Sequence, residues 1–480
     1  MRLARVAMAC VAASLSAASL HAAGVPLVDA IKKADAAAVR ALIRQGPGAV
    51  NASELDGTTA LHWAARLNDL EAADLLIRAG ANAKAANRYG VTPLALASIN
   101  GSAPMIERLL KAGADPNVAA GEGETPLMTA ARAGSAASVR LLVAQGAAVN
   151  VAEKFRGQTA LMWAAAEGNV DVITVLLELG ADTHARSQRG FTPFLFAVRE
   201  GHIPAVKAFL EAGVNVNETL PRLPPVDGDM SALMLAVNSA HFELANVLLE
   251  AGADPNADDL GYTALHLISW VRRPGEGANA PRMVGSGSMD SLTLVRKLAA
   301  KGAKLNARMT KAPRDGSQDF NSFLNWKGAT PMITAARSVD APLMRLLAEL
   351  GANPLMPNDD GTQPLLVTAG IGVRSPTEDP GTEPEILDAV TVALDLGGDV
   401  NAVDMNGETV MHGAAVRGLN SLIRLLVERG AKVEVWNRPN KRGLTPLSMA
   451  EGHQKINNVF LSQPQIVPLL KQLIAGRASP

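Results

Sequence analysis

Apolar and polar positions in this chain fall into blocks that recur at an almost fixed interval. The phrase Gly-x-Thr-x-Leu stands at Gly57–Leu61, Gly90–Leu94, Gly123–Leu127 and Gly157–Leu161, and with Phe194 in the last place at Gly190–Phe194. Weaker or wider-spaced copies begin at Asp229, Gly261, Gly328, Gly361, Gly407 and Gly443. The intervals are 33, 33, 34, 33, 39, 32, 67, 33, 46 and 36 residues. After the phrase comes an apolar stretch with small residues, such as Ala64-Ala65, Ala130-Ala131 or Ala164-Ala165. A second apolar stretch ends in Leu-Leu, as at Leu75-Leu76, Leu109-Leu110, Leu141-Leu142 and Leu176-Leu177, with Gly80, Gly113, Gly146 and Gly180 shortly after. This pattern predicts turn, helix, short loop, helix, turn, stacked many times.

The local chemistry agrees. Glycine in the turn tolerates positive φ. The threonine two residues on is suited to cap a helix N-terminus, and Pro93, Pro126, Pro193 and Pro446 follow it at the favoured first helical position. The glycine after Leu-Leu is a helix-ending residue, and Ala-Asp/Asn-x-Asn, as in Ala114–Asn117 and Ala253–Asn256, leads into the next turn. Together these residues resemble the ankyrin repeat over roughly 24–475. The resemblance implies an all-α ankyrin-repeat solenoid of about 11–12 helix–turn–helix units with β-hairpin-like turns. It also implies binding through the concave face, which the turns and first helices line.

We read residues 23–480 as a single elongated array, because each repeat contacts only its neighbours. Residues of about 24–56 form an N-terminal cap and about 443–475 a C-terminal cap. The later intervals stretch at about 218–228, 271–289, 309–327 and 371–384, all rich in Gly, Pro, Ser or charge. Loops on a rigid scaffold often carry function, but added loop length costs little and is tolerated. The segment 309–327 carries Phe320, Phe323 and Trp326, which either form a binding surface or fold back onto the array.

Composition narrows the classes. Of 480 residues, 48 % are hydrophobic but only 3 % aromatic, as suits a stack of Ala and Leu. A net charge of −1 argues against a dedicated nucleic-acid or anionic-membrane binder. Residues 1–22 read as a secretory signal peptide: Arg2 and Arg5, an apolar run from Val6 to Leu20, and a small-residue site at Ala22-Ala23. The sole cysteine, Cys10, lies inside it, so the remainder forms no disulfide. These features predict a periplasmic protein, or alternatively an extracellular one, without stable membrane insertion and monomeric.

Catalytic chemistry is sought first among the eight histidines. His62, His266 and His412 follow the Leu or Met of the turn phrase, where the resemblance puts a structural histidine. His202, His241 and His453 share the inter-helix loop register, and His184 alone stands off pattern. No metal-ligand, phosphate-loop or nucleophile motif occurs; Gly285-Ser286-Gly287 lacks the rest of a P-loop. We therefore expect no catalytic residue, metal or cofactor, and a non-enzymatic protein-binding scaffold.

Arg66, Arg132, Arg199 and Arg337 all stand nine residues after a turn glycine, and Tyr89, Arg156 and Arg189 flank such glycines. With Phe155, Trp163, Phe191 and Trp326 they are the candidate protein-binding residues, since arginine and aromatics anchor interfaces. The competing reading is that each arginine serves a helix C-terminus and Trp163 is packing. Two other functions stay open: a ligand-binding or enzymatic site in the 271–327 and 371–384 insertions, and a secreted host-directed effector.

Overall fold

The computed structural model describes residues 25–221, 228–273, 285–312, 324–373, 381–456 and 459–476, without the side chains of 454–461. The signal-peptide reading and Phe320 and Phe323 lie outside these residues. The chain is described as two compact units, one ending at Gly213 and the other beginning at Val214.

The first unit opens with α1 (Pro26–Lys32), α2 (Ala36–Ile43) and α3 (Pro47–Val50). Five pairs follow: α4 (Ala60–Leu67) with α5 (Leu70–Arg78), α6 (Pro93–Ile99) with α7 (Ala103–Lys111), α8 (Pro126–Arg132) with α9 (Ala136–Ala144), α10 (Ala160–Glu167) with α11 (Val170–Glu178), and α12 (Pro193–Glu200) with α13 (Ile203–Glu211). First helices pack on first helices and second on second, so each pair lies in two layers. Leu61, Leu94, Leu127, Leu161 and Phe194 are buried between the layers, with Ala64, Ala97, Ala130, Ala164 and Ala197 behind them. Thr92, Thr125, Thr159 and Thr192 cap the first helices as expected, their Oγ1 accepting from the N–H of Ala95, Met128, Met162 and Leu195 at 3.2–3.4 Å.

At many of the repeat boundaries one asparagine side chain joins neighbours at the turns, although Lys84, His184 and Leu355 stand at its place in three repeats. Asn117 donates from Nδ2 to the Gly146 carbonyl at 2.9 Å and accepts at Oδ1 from the Ala148 N–H at 2.9 Å. Asn51 clamps Gly80 and Asn82, and Asn150 clamps Gly180 and Asp182, in the same way. The second unit repeats this at Asn256 with Gly302 and Lys304, and at Asn401 with Gly430 and Lys432. Helix ends leave carbonyls unpaired, and the clamp satisfies one while fixing the spacing to the next turn. A second rung joins the turn tips, where the Lys154 N–H meets the Glu122 carbonyl at 3.0 Å and the Gln188 N–H meets that of Arg156 at 2.8 Å.

The second unit starts on a two-stranded antiparallel hairpin, β1 (Thr219–Pro221) with β2 (Asp229–Ser231), in register Thr219 to Ser231. The left-handed turn residue is Gly228, at φ 105°, and not Asp229, which sits in the strand. Helices α14 (Ala232–Asn238), α15 (Phe242–Glu250), α16 (Ala264–Arg272), α17 (Ser291–Ala300), α18 (Pro331–Arg337), α19 (Ala341–Glu349), α20 (Pro364–Ala369), α21 (Glu383–Asp395), α22 (Val410–Arg417) and α23 (Asn420–Glu428) continue the pattern.

The 271–289 insertion is pinned at both described ends. Arg272 pairs at 2.6 Å with the fully buried Asp340, which caps α19, and reaches the Ser291 hydroxyl at 2.5 Å. Arg273 pairs with Glu385 at 2.8 Å. On the far side, the Ser286 and Ser288 N–H groups donate to His241 Nδ1 and Glu243.

The C-terminal segment keeps α24 (Val433–Trp436), α25 (Pro446–Ser448) and α26 (Val467–Ile474), and between the last two lies an antiparallel hairpin, β3 (Gln454–Ile456) with β4 (Val459–Leu461).

Replacing Asn117 or Asn150 by alanine removes two hydrogen bonds across a repeat boundary. Each change is expected to cost about 1 kcal/mol, the net value for exposed bonds. The aspartate variants, which keep the acceptor only, should lose less. Shifts of the urea midpoint at constant slope would measure both.

Candidate protein-binding face

The outer and inner arginines of the first unit are held differently. On the second helices, Arg108 pairs with Asp74 at 2.9 Å and Arg140 with Glu178 at 2.6 Å, and Arg40 pairs with Glu71. On the turns and first helices, arginine lies on aromatic rings. Arg66 covers Trp63 at 5.3 Å, Arg88 covers Tyr89 at 4.8 Å, Arg132 covers Trp163 at 4.7 Å and Arg156 covers Phe155 at 5.7 Å. Arg199 lies 4.9 Å from both Phe191 and Phe196 and shares Glu200. Arg132, Arg156 and Arg189 form no ion pair among the described residues.

The turn that carries Phe155 and Arg156 is built by Glu153. Its buried carboxylate accepts the N–H groups of Phe155 at 2.6 Å, Arg156 at 2.8 Å and Gln158 at 3.0 Å. Burial pushes this carboxyl up, but those N–H groups and the Arg156 charge outweigh it and hold it below the ordinary range. Two repeats earlier, Asn87 does the same for Tyr89 and Val91. Glutamate is longer, and it spans a tip with one residue more, which is the 34-residue interval between Gly123 and Gly157. The enlarged tip holds Phe155 at 62 % exposure.

The C-termini of the first helices are fixed by the next loop. Asn169 donates to the Ala131 and Arg132 carbonyls at 2.9 and 3.0 Å, and His202 Nε2 to the Ala166 carbonyl at 3.0 Å. A Cβ on Gly168, at φ 72°, would stand 2.7 Å from the His202 ring.

Two adjoining cavities result. The larger, about 670 Å³, lies among Phe155, Arg156, Arg189, Phe191, Phe196 and Arg199. The smaller, about 360 Å³, adds Arg132, Trp163, Glu122, Glu124 and Glu167 and shares Phe155, Arg156, Phe196 and Arg199. Seven candidates, Arg132, Phe155, Arg156, Trp163, Arg189, Phe191 and Arg199, are thus brought together. Arg66 and Tyr89 remain exposed in earlier repeats of the same face. Phe196, Glu153, Gln158 and Gln188 were missed: Phe196 reads as core in a Phe-Leu-Phe run, although the alternation of a first helix places every third or fourth residue at its rim.

Three candidates are corrected as contacts. Trp163 is 9 % exposed and supplies the floor under Arg132. Trp326 is 5 % exposed, stacked edge-on to Trp270 at 5.7 Å, and Trp270 in turn meets Tyr262 at 5.4 Å. Arg337 is 2 % exposed. In the second unit, described ends of two insertions pack against each other and against the loop after α18: a Cβ on Gly372 would stand 2.7 Å from Leu324 Cβ, and one on Gly381 2.3 Å from Val339.

With this geometry of capped helix pairs and clasped turns, the family can be tested directly. The family model for ankyrin repeats, a three-copy unit, matches residues 27–120, 94–187, 152–220 and 194–272, just over half of the chain. The chain belongs to the ankyrin-repeat family. It is 28 % identical over 227 residues to the mouse B-cell lymphoma 3 protein homolog, covering 47 % of this chain and 40 % of that relative. No described helix is long and apolar enough to cross a membrane.

The histidines of this ankyrin chain serve its seams. The Thr59 N–H donates to His62 Nδ1 at 3.1 Å, which leaves the proton on Nε2 to donate to the Val91 carbonyl of the next repeat at 3.0 Å. His266 takes Thr263 and reaches Ala307 and Ala329, and His412 takes Thr409 and reaches Leu444. In the second unit a cavity of about 260 Å³ borders Asp360, Asp404 and Glu408. Its carboxylates are engaged in turns: Asp404 accepts from Thr362, Asn406 and Glu408, and Glu408 from Asn440 and Arg442. No trio of His, Cys, Asp or Glu among the described residues is disposed to hold a metal.

Burial lowers the pKa of His266 and His412 to about 4 from 6.5 and depresses that of His62. Between those values the unfolded chain binds more protons, so stability falls as pH drops below about 6.5 and is retained above it. At pH 5, above the carboxylate range, His266 and His412 each cost about 2 kcal/mol. The melting temperature is expected to fall between about pH 7.5 and pH 5, and His266→Gln with His412→Gln should flatten that slope.

Proposed function

We propose that this chain is a non-enzymatic protein-binding scaffold acting through the turns and first helices of its first unit. Ankyrin repeats are protein-binding modules, and the observation that carries the assignment to this face is the cluster of arginines stacked on rings around Phe155. Interface anchors are large, rigid and rich in arginine and aromatics, and here they line two contiguous cavities. In the second unit Trp326 and Arg337 are buried and offer no comparable exposed anchors. The apolar run of residues 6–20 supports an exported, periplasmic setting for the interaction.

Arg132→Glu with Arg199→Glu reverses two charges at the cavity walls. The double variant is expected to keep its circular-dichroism melt within about 2 °C and to lose capture of partners from the native periplasmic fraction. Unchanged capture, or capture from the cytoplasmic fraction alone, would contradict the assignment.

A further inference from the structure

We propose that the two cavities receive one extended protein segment in a fixed polarity, with its acidic side chains over α12 and its basic ones over the turn Glu122–Glu124. The proposal rests on the scaffold reading and goes further, to the chemistry of the partner. The charge balance changes across the wall that the cavities share, from arginine alone on one side to Arg132 and the shared Arg156 and Arg199 mixed with carboxylates on the other. The larger cavity is lined by three arginines, Arg156, Arg189 and Arg199, and by no carboxylate. The smaller adds Glu122, Glu124 and Glu167, with Glu153 engaged by its own turn.

The arginines are prepared for carboxylates. A guanidinium whose face rests on a ring keeps its in-plane N–H groups, the edge that meets a carboxylate bidentately. Arg156 is held in this way on Phe155, an exposed side chain. Arg189 beside it lacks an ion pair, in contrast to the outer Arg108 and Arg140. Between them Phe155, Phe191 and Phe196 offer ring faces for an apolar residue flanked by acids.

The same change of balance disfavours nucleic acid. A strand carries a phosphate at every nucleotide, and continuing past Arg156 it would run onto three carboxylates. A protein segment changes sign from one residue to the next and fits both halves.

Selection of a random peptide display library on the purified full-length chain tests this. Recovered peptides are expected to carry Asp or Glu next to an apolar residue, with Lys or Arg to one side. Arg156→Glu with Arg189→Glu alters two exposed side chains. It should weaken the best peptide about tenfold or more by fluorescence anisotropy and turn the selection towards Lys and Arg. No binders, binders without charge bias, or the same binders on the variant would overturn the proposal. So would tighter binding of single-stranded oligothymidylate that this variant abolishes, or self-association in sedimentation that it dissolves. Unbiased peptides alongside a loss of capture in the Arg132→Glu, Arg199→Glu protein would remove the polarity while leaving the scaffold.

Discussion

An asparagine that recurs at turns of both units, though Lys84, His184 and Leu355 stand in its place in three repeats, sets the geometry on which the rest depends. Its amide closes the carbonyl left open at the end of a second helix and holds the N–H of the turn beyond, as Asn117 does for Gly146 and Ala148. Both bonds cross a repeat boundary. A repeat therefore leaves polar groups unsatisfied unless its neighbour is present, and the stack propagates by completing the neighbour's hydrogen bonds as much as by covering its leucines. The tip-to-tip backbone bonds then place consecutive turns at one spacing, so a side chain such as Arg156 finds Gln188 and Arg189 alongside.

Much of this was legible in the chain because each device is local. Thr-Pro before a leucine, glycine after Leu-Leu and histidine after the turn phrase each serve a bond within a few residues, and all appear as read at Thr125, Gly146 and His62. The asparagine of Ala-Asp-x-Asn was visible as a pattern, yet its partners lie about thirty residues on, beyond what local chemistry reports. The stacking of arginine on rings was not legible either. Arg132 and Arg337 occupy the same place after their glycines, but one is exposed and the other buried, a difference of tertiary surroundings that the local pattern does not report. Near the C-terminus, residues 454–461 form a hairpin that no short-range pattern announces.

The two units thus use one scaffold to opposite ends. In the second, Tyr262, Trp270 and Trp326 form an edge-to-face series and the half-buried Arg272 pairs with the buried Asp340. Breaking that pair would strand a charge, so it fixes where the insertion leaves and returns whatever its length. In the first, comparable aromatic and arginine content faces outward. The difference is one of tertiary surroundings, while the repeats themselves remain alike.

The threonine–histidine seams give the stack unequal joints. Where His62, His266 and His412 stand, a proton on Nδ1 would meet the threonine N–H head-on, and the ring would have to release it. The equivalent places in other repeats hold Ala95, Met128, Met162, Leu195, Met234 and Ile333, which carry no titrating group. Acid would therefore weaken three set positions and spare the run from Ala95 to Leu195 within the first unit, which carries the arginine-lined cavities. A scaffold of near-identical repeats in this way acquires a preferred order of disassembly, written into three side chains.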